Sequence, residues 1–440
     1  MQNLAEVRLW QQQVGALVFD PKTRTALFEY SPEWLAKGVE IAPIHMPLSR
    51  GKFQFPGLNP DTYKGLPAVF ADTLPDDFGN AVINAWLARN GRSSESFSPL
   101  ERLLYSGQRG MGALEYAPAI RAGQDAPQSS LELSSLVAMA QAVLDQRANL
   151  DVSLSPALQK QDSQSMSAIL QVGTSAGGAR PKAVIAINRE RTEIRSGQLD
   201  APEGFEHYLL KFDGVEEHKV DSEVFGDPQG FGRMEYAYYL MACDAGLNMS
   251  PSELLMEGKR AHFMTRRFDR EGNRKLHYSS LCAMDHADYK RPGSYSYEEM
   301  LTLARRLRLP REDAVEIFRR MVFNVVARNH DDHSKNFGFI LASPNDAWRL
   351  APAFDVAYSY KADSPWVNSH QLSLNGKRDS FEHEDLLAIA SLIGNFRQEA
   401  KRIIAQVTEV VSEWAHYAET ADVFEGFKEE INNNLRLNLT

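Results

Sequence analysis

Cysteine is nearly absent from this chain. Cys243 and Cys282 are the two present among 440 residues, too few for a thiolate zinc framework and compatible with a reducing compartment. Long apolar runs are missing too: no stretch reaches the roughly 18 apolar residues that a membrane-spanning helix needs. The start, "MQNLAEVRLWQQQVG", has no basic segment leading into an apolar one, so a cytoplasmic protein without a secretory leader or membrane association is expected. Positive charge is in deficit. Lys and Arg total 48 against 58 Asp and Glu, a net charge of -10, which argues against a broad basic face gripping nucleic acid. A local basic patch or a basic partner stays open. What is present is an ordinary globular composition, 43% hydrophobic and 24% charged, with length enough for two or three domains or lobes.

Residues 6–30 alternate, with Val7 and Leu9, then Val14, Ala16 and Val18, then Ala26, Phe28 and Tyr30 on one face. A "DPKT" turn at Asp20 to Thr23 separates two of these runs, which predicts a short antiparallel meander. A helical region follows, with Asp76 or Asp77 able to cap a helix carrying Val82, Trp86 and Leu87. Residues 122–130 have linker composition, and a boundary is placed near 125–150. From 168 to 212 the segments "AILQVG", "KAVIAINRE" and "HYLLKFDG" predict strands. Beyond Gly232 the chain turns helical: "RMEYAYYLMACDA" ends at Gly246, Ser296 and Glu299 form a capping box, and Val315, Phe318, Met321, Val322, Val325 and Val326 make an apolar stripe. Two more amphipathic helices are expected near 395–418 and 424–437. Strands first and helices later imply an α+β fold with segregated lobes.

The stripe ends in "NHDDHSKNF", residues 329–337, ahead of a strand "NFGFIL" and its hairpin partner ending at Asp355. Asp331 and Asn336 have the spacing of the Asp-x-x-x-x-Asn loop of protein kinases, and Asp355 is a candidate second metal ligand. Oxygen donors without thiolates suit a hard cation such as magnesium. In phosphoryl transfer an aspartate receives the hydroxyl proton while such ligands neutralise phosphate charge. Two other readings stay open: a His/Asp metal site of the phosphohydrolase kind, for which no second His-Asp cluster is found, and a solvated polar turn.

Upstream, "QVGTSAGGARPKAVI" sets three glycines and two hydroxyl residues between strands. Gly173 to Gly178 has Gly-x-x-x-x-Gly spacing, but Ala179 and Arg180 stand where a P-loop has Lys-Ser/Thr. Backbone N–H groups there can still cradle phosphate. Lys211 lies within an apolar strand, where burial is costly without a partner. Glu235, in the helix after Gly232, is the candidate partner, as in the strand-lysine to helix-glutamate pair of kinases.

Taken together, "TSAGGARPKA", "HYLLKF", "EYAYYLMACDAGLN", "RRFDR", "NHDDHSKNF" and "PAFDVAYS", in that order, resemble the HipA family of serine/threonine kinase toxins of type II toxin–antitoxin modules. The resemblance spans nearly the whole chain and includes the opening "RLWQQQVGALVF". It implies a two-lobed, protein-kinase-like fold: an N-terminal module over 1–125, a nucleotide-binding part over 126–265 and a helical catalytic lobe over 266–440. It implies ATP and Mg2+ as cofactors, with Asp331 as base, His333 and Lys335 beside it, and Asn336 and Asp355 as magnesium ligands. Gly177, Gly178, Ala179, Lys182, Lys211 and Glu235 would serve the nucleotide phosphates. Arg267, Phe268 and Asp269 would form the hinge against adenine, mainly through backbone groups.

Ser175 falls on the family's autophosphorylation serine, with Thr174 adjacent. A phosphate there adds about -1.5 to -2 charges beside those of the nucleotide, and in the family this expels the loop and switches the kinase off. The implied partners are a helix-turn-helix antitoxin resembling HipB, operator DNA held mainly through that antitoxin, and a protein substrate, an aminoacyl-tRNA synthetase. Two departures stand out. Asp332 follows the catalytic aspartate where the family usually has glycine, which makes it a rival base and leaves a catalytically weak co-repressor scaffold as the alternative. Arg180-Pro181 replaces Gln-Glu in the phosphate loop.

Overall fold

The computed structural model describes residues 3–120, 131–148, 180–216, 226–227 and 229–439. The meander forms as expected. Strands Leu4–Leu9, Gln12–Asp20 and Thr25–Tyr30 build an antiparallel sheet, extended by Lys52–Phe53 at one edge and closed at the other by Leu114–Ala117. One detail differs from the alternation read in the sequence. Val7 pairs with Gly15 but Arg8 with Gln13, so Val14 is an extra, bulged residue and the facing reverses beyond it. Leu17 and Phe19 are therefore buried, while Val18 is 43% exposed.

A second antiparallel sheet carries Lys182 and Lys211. Its order is Ser252–Glu257, Arg260–Arg266, Phe205–Lys211, Lys182–Asn188 and Ile194–Ser196. Helix Asp77–Arg89, capped by Asp76 through Gly79 N, and helix Leu133–Ala148 cover one face, burying Val82, Leu87, Val143 and Leu144 with Ile185, Tyr208 and Leu210. Helix Phe231–Asp244 packs against strand Arg260–Arg266. Gly232 makes that approach possible, because a Cβ there would lie 1.9 Å from the Ala261 carbonyl oxygen.

The rest is mainly helical. Helix Tyr297–Arg306 starts at Ser296, whose hydroxyl accepts from Glu299 N; the Glu299 carboxylate in turn accepts from that hydroxyl, not from the Ser296 N–H of a full capping box. Helix Arg311–Val326 buries the predicted Phe318, Met321, Val322, Val325 and Val326. It leads through the polar loop into strand Gly338–Leu341, which pairs with His277–Ser280 and Arg349–Leu350. The C-terminal helices run Arg397–Ser412, Trp414–Thr420 and Glu425–Asn434. The apolar side of the N-terminal sheet and these helices share one continuous core. Among the described residues no helix is long and apolar enough to cross a membrane.

Candidate active site

Lys211 ends the central strand of the second sheet and is 5% exposed. Its register partner on the neighbouring strand is Lys182, so the two side chains lie side by side on one face. Like charges placed this way repel, and carboxylates surround them. Lys211 Nζ donates to Glu235 Oε1 and to Asp355 Oδ1, each at 2.5 Å. Lys182 Nζ lies 3.5 Å from Asp76 Oδ2. Burial opposes the charge on Lys211, but Asp355 and Glu235 outweigh it and hold its pKa above the usual lysine value. Burial also opposes ionisation of Asp355, yet Lys211, with Lys182 and Arg180, keeps its carboxyl well below the usual carboxylate range.

The Asp331–Asn336 spacing has a direct structural use. Asn336 Nδ2 donates to the Asp331 carbonyl at 2.8 Å and closes the loop on itself. Asp331 Oδ1 accepts from the Trp366 indole at 3.0 Å and lies 3.7 Å from His333 Nε2. Desolvation raises the Asp331 carboxyl above its usual value; His333 opposes the rise and Asp355 adds to it. His333 packs against Tyr289, with ring centroids 5.5 Å apart, and Lys335 Nζ lies 5.3 Å over the same tyrosine. Burial opposes the Lys335 charge, while Asp72 and, more weakly, Asp76 help hold its pKa up.

Asp332 has a different environment. It is 1% exposed. Its Oδ2 accepts from the Tyr297 hydroxyl at 2.8 Å and sits 2.9 Å from His370 Nδ1, while Oδ1 accepts from Gln371 N at 2.8 Å. Tyr297 in turn accepts from Asn324, which accepts from Asn329. Leu372 N approaches Oδ1 as well, at 3.5 Å, so Asp332 anchors the loop from beneath with its four lone-pair directions taken up.

Arg267, Phe268 and Asp269, expected as a hinge, divide similarly. Asp269 is fully buried and takes Arg267 Nε at 2.8 Å, Arg270 Nη1 at 2.8 Å and the Gly112 N–H at 2.7 Å. Asp269 thus ties the Arg267–Arg270 turn to itself and to the N-terminal module, using two of the three Arg267 nitrogens. Phe268 instead joins Tyr278 and Phe354, at 5.6 and 5.4 Å, in an aromatic cluster next to Asp355.

The structure therefore links Lys182, Lys211, Glu235, Asp331, His333, Lys335, Asn336 and Asp355 by contact or by charge into one cluster. Gly177, Gly178, Ala179, Thr174 and Ser175 lie outside the described residues. Sequence reasoning missed Asp72, Asp76, Tyr289 and Trp366. Asp76 was noted only as a helix cap, and nothing local marks Trp366. Arg180, noted only as a departure, acts electrostatically on Lys211, Glu235, Asp331 and Asp355. For a hard cation the donor set fits: Asn336 and Asp355 line one small cavity and offer oxygens, with room in the coordination for phosphate and water. Asp355 has φ of 56°, a left-handed backbone that aspartate adopts more readily than most residues.

Residues 5–117 match the family model for the HipA N-terminal domain, and residues 174–414 that for the HipA-like C-terminal domain. No curated protein matches the chain in a sequence search. Among solved structures, the chain is similar to HipA of the Shewanella oneidensis MR-1 toxin–antitoxin system, in complex with HipB and its operator DNA. Identity is 16%, coverage 98% of this chain and 99% of that one, and the TM-score 0.62. That likeness shows a shared fold, two-lobed and mixed α/β. The proinflammatory kinase CtkA of Helicobacter pylori is more distant, with 14% identity over 51% of this chain and 92% of that one, and a TM-score of 0.32.

Proposed function

This chain belongs to the HipA family, and from that premise we propose that it is an ATP- and magnesium-dependent serine/threonine protein kinase, the toxin of a type II toxin–antitoxin module. The observation that carries the proposal is Lys211, bridging Glu235 from the sheet-side helix and Asp355 from the catalytic lobe. Such a bridge sets a cation at the place where nucleotide phosphates must lie if Asp331 is to face the transferred group.

In this reading Asp331, its proton affinity raised by desolvation, takes the proton of the attacking serine or threonine hydroxyl. Trp366 and His333 hold its carboxylate in place. Lys211 and Lys182 bind phosphate oxygens, and Lys335 faces the charge that develops on the transferred group. Asn336 and Asp355 would hold magnesium, which supplies charge neutralisation between phosphates. Phe268 and Phe354 offer the base an apolar platform, with hydrogen bonds left to the hinge backbone. Asp332, the motive for an inactive scaffold, is occupied in holding the loop, which supports an intact catalytic loop.

Ser175 is the proposed site of self-modification. The proposed partners are a HipB-like antitoxin, operator DNA through it, and an aminoacyl-tRNA synthetase as substrate. The Shewanella protein with HipB and operator DNA supports the first two by analogy of fold. Incubation with ATP and Mg2+ followed by mass spectrometry tests the reading: phosphate is expected on Ser175, and none in Asp355→Asn. Undiminished labelling of that variant would refute the metal assignment; an unlabelled wild type that binds ATP would favour the scaffold.

A further inference from the structure

Strand Phe205–Lys211 has a second concavity at the end remote from Lys211. This cleft of about 200 Å3 is lined by Arg189, Arg266, Arg267 and Arg270, together with Glu206 and His207. Lys211, Asp331, Asn336 and Asp355 are not among its walls. Four guanidinium groups meet there, and two carboxylates pair with them directly. Glu206 lies 3.4 Å from Arg266, and Asp269, behind the wall, holds Arg267 and Arg270. Asp200 adds a weaker negative influence on Arg270, so the four guanidinium groups still outnumber the three carboxylates.

Arg267 is 8% exposed, and Asp269 takes its Nε and Nη2, yet its buried Nη1 has no hydrogen-bond partner among the described residues. A buried donor left unsatisfied is costly and calls for an explanation. Arg189 and Arg266 are exposed at the same cleft and add further guanidinium forks. Arginine's planar donors match the paired oxygens of a phosphate group. The volume falls below the roughly 300–1,000 Å3 typical of drug-sized ligands, so it suits a compact anion and not a whole nucleotide.

We infer that this arginine cleft is a binding site for a compact oxyanion of the phosphate class, separate from the nucleotide cleft. A phosphate seated there would bridge Arg189, after strand Lys182–Asn188, to Arg266 and Arg267 at the hinge. The group has two possible sources, a free phosphate or pyrophosphate and a phosphorylated serine side chain. They share one chemistry.

Calorimetric titration of the full chain with pyrophosphate, and separately with O-phosphoserine, tests this and separates the sources by which ligand binds more tightly. Saturable binding is expected, weakened by salt and reduced roughly tenfold in Arg189→Gln and in Arg266→Gln. Both substitutions are on exposed side chains and leave the fold intact. Binding should persist in Lys211→Met, whatever becomes of kinase activity. The inference is overturned if neither ligand binds saturably by roughly 10 mM, an affinity weaker than about 3 kcal/mol. It is equally overturned if both arginine variants bind like the wild type, or if Lys211→Met alone abolishes binding.

Discussion

Lys211 and Asp355 are 144 positions apart in the chain, yet a 2.5 Å ion pair joins the lysine ammonium to the aspartate carboxylate. The contact links the sheet to the segment that follows hairpin Gly338–Leu350. With Glu235 on the same ammonium, one cation is shared by two carboxylates, and a ligand phosphate entering the cleft must compete with them.

Replacing Lys211 by Met would therefore strand Glu235, which is 3% exposed, beside a second carboxylate. Breaking a buried pair from one side costs about 3–5 kcal/mol, so a urea titration should show a loss of that order. ATP affinity should fall at least tenfold by calorimetry. Wild-type values for both would mean that this lysine neither joins the lobes nor binds phosphate.

Asp331 and Asp332 should separate cleanly despite being adjacent. Asp331→Ala is expected to lower the phosphorylation rate by about 10²–10⁴ with little change in melting temperature. Asp332→Ala should instead destabilise, by roughly 2–4 kcal/mol, since it leaves the Tyr297 hydroxyl, the Gln371 N–H and His370 without their acceptor. The reverse pattern, a stable but dead Asp332→Ala beside an active Asp331→Ala, would move the base by one residue.

Gly232→Ala tests how the sheet positions Glu235. The added methyl would meet the Ala261 carbonyl oxygen at 1.9 Å, so helix Phe231–Asp244 must shift away from strand Arg260–Arg266. Overpacking of this kind costs about 1–3 kcal/mol, and the shift should also weaken ATP binding. Full affinity in a variant with a lowered melting temperature would show that Glu235 is not held by this packing.

His277 predicts an acid-sensitive interface. It is fully buried, and its Nε2 lies 2.9 Å from the Ile41 carbonyl of the N-terminal module. Burial pushes its pKa down from 6.5 to about 4. A depressed histidine contributes stability above the unfolded value and loses it as pH falls through the folded one. The loss should therefore run from pH 6.5 to about 4 and amount to roughly 3 kcal/mol. Urea midpoints measured across that window should fall less steeply in His277→Gln; parallel curves would assign the loss to other groups.

Much of the architecture could be read from local pattern. The stripe to Val326, the Asp76 and Ser296 caps and the meander all follow from periodicity and capping chemistry. The bulge at Val14 could not, since one unpaired residue reverses a strand's facing without changing its composition. Asp332 was misleading for a similar reason. In sequence it is one more acid in a polar loop, while its acceptors are taken up by donors from Tyr297, 35 positions upstream, and from residues 38 and 39 positions downstream.

By itself the sequence determined which residues could do chemistry: an aspartate and an asparagine five apart, a lysine in an apolar strand, a glutamate in the next helix. Spacing within one element is local geometry, and it survives in any fold that keeps the element. Only the tertiary structure decided which carboxylate is free to take a proton, which is spent as an anchor, and that Asp76 stands beside Lys182. Ionisation and hydrogen-bond satisfaction depend on the groups desolvated together, and these come from segments that meet only when the chain closes on itself.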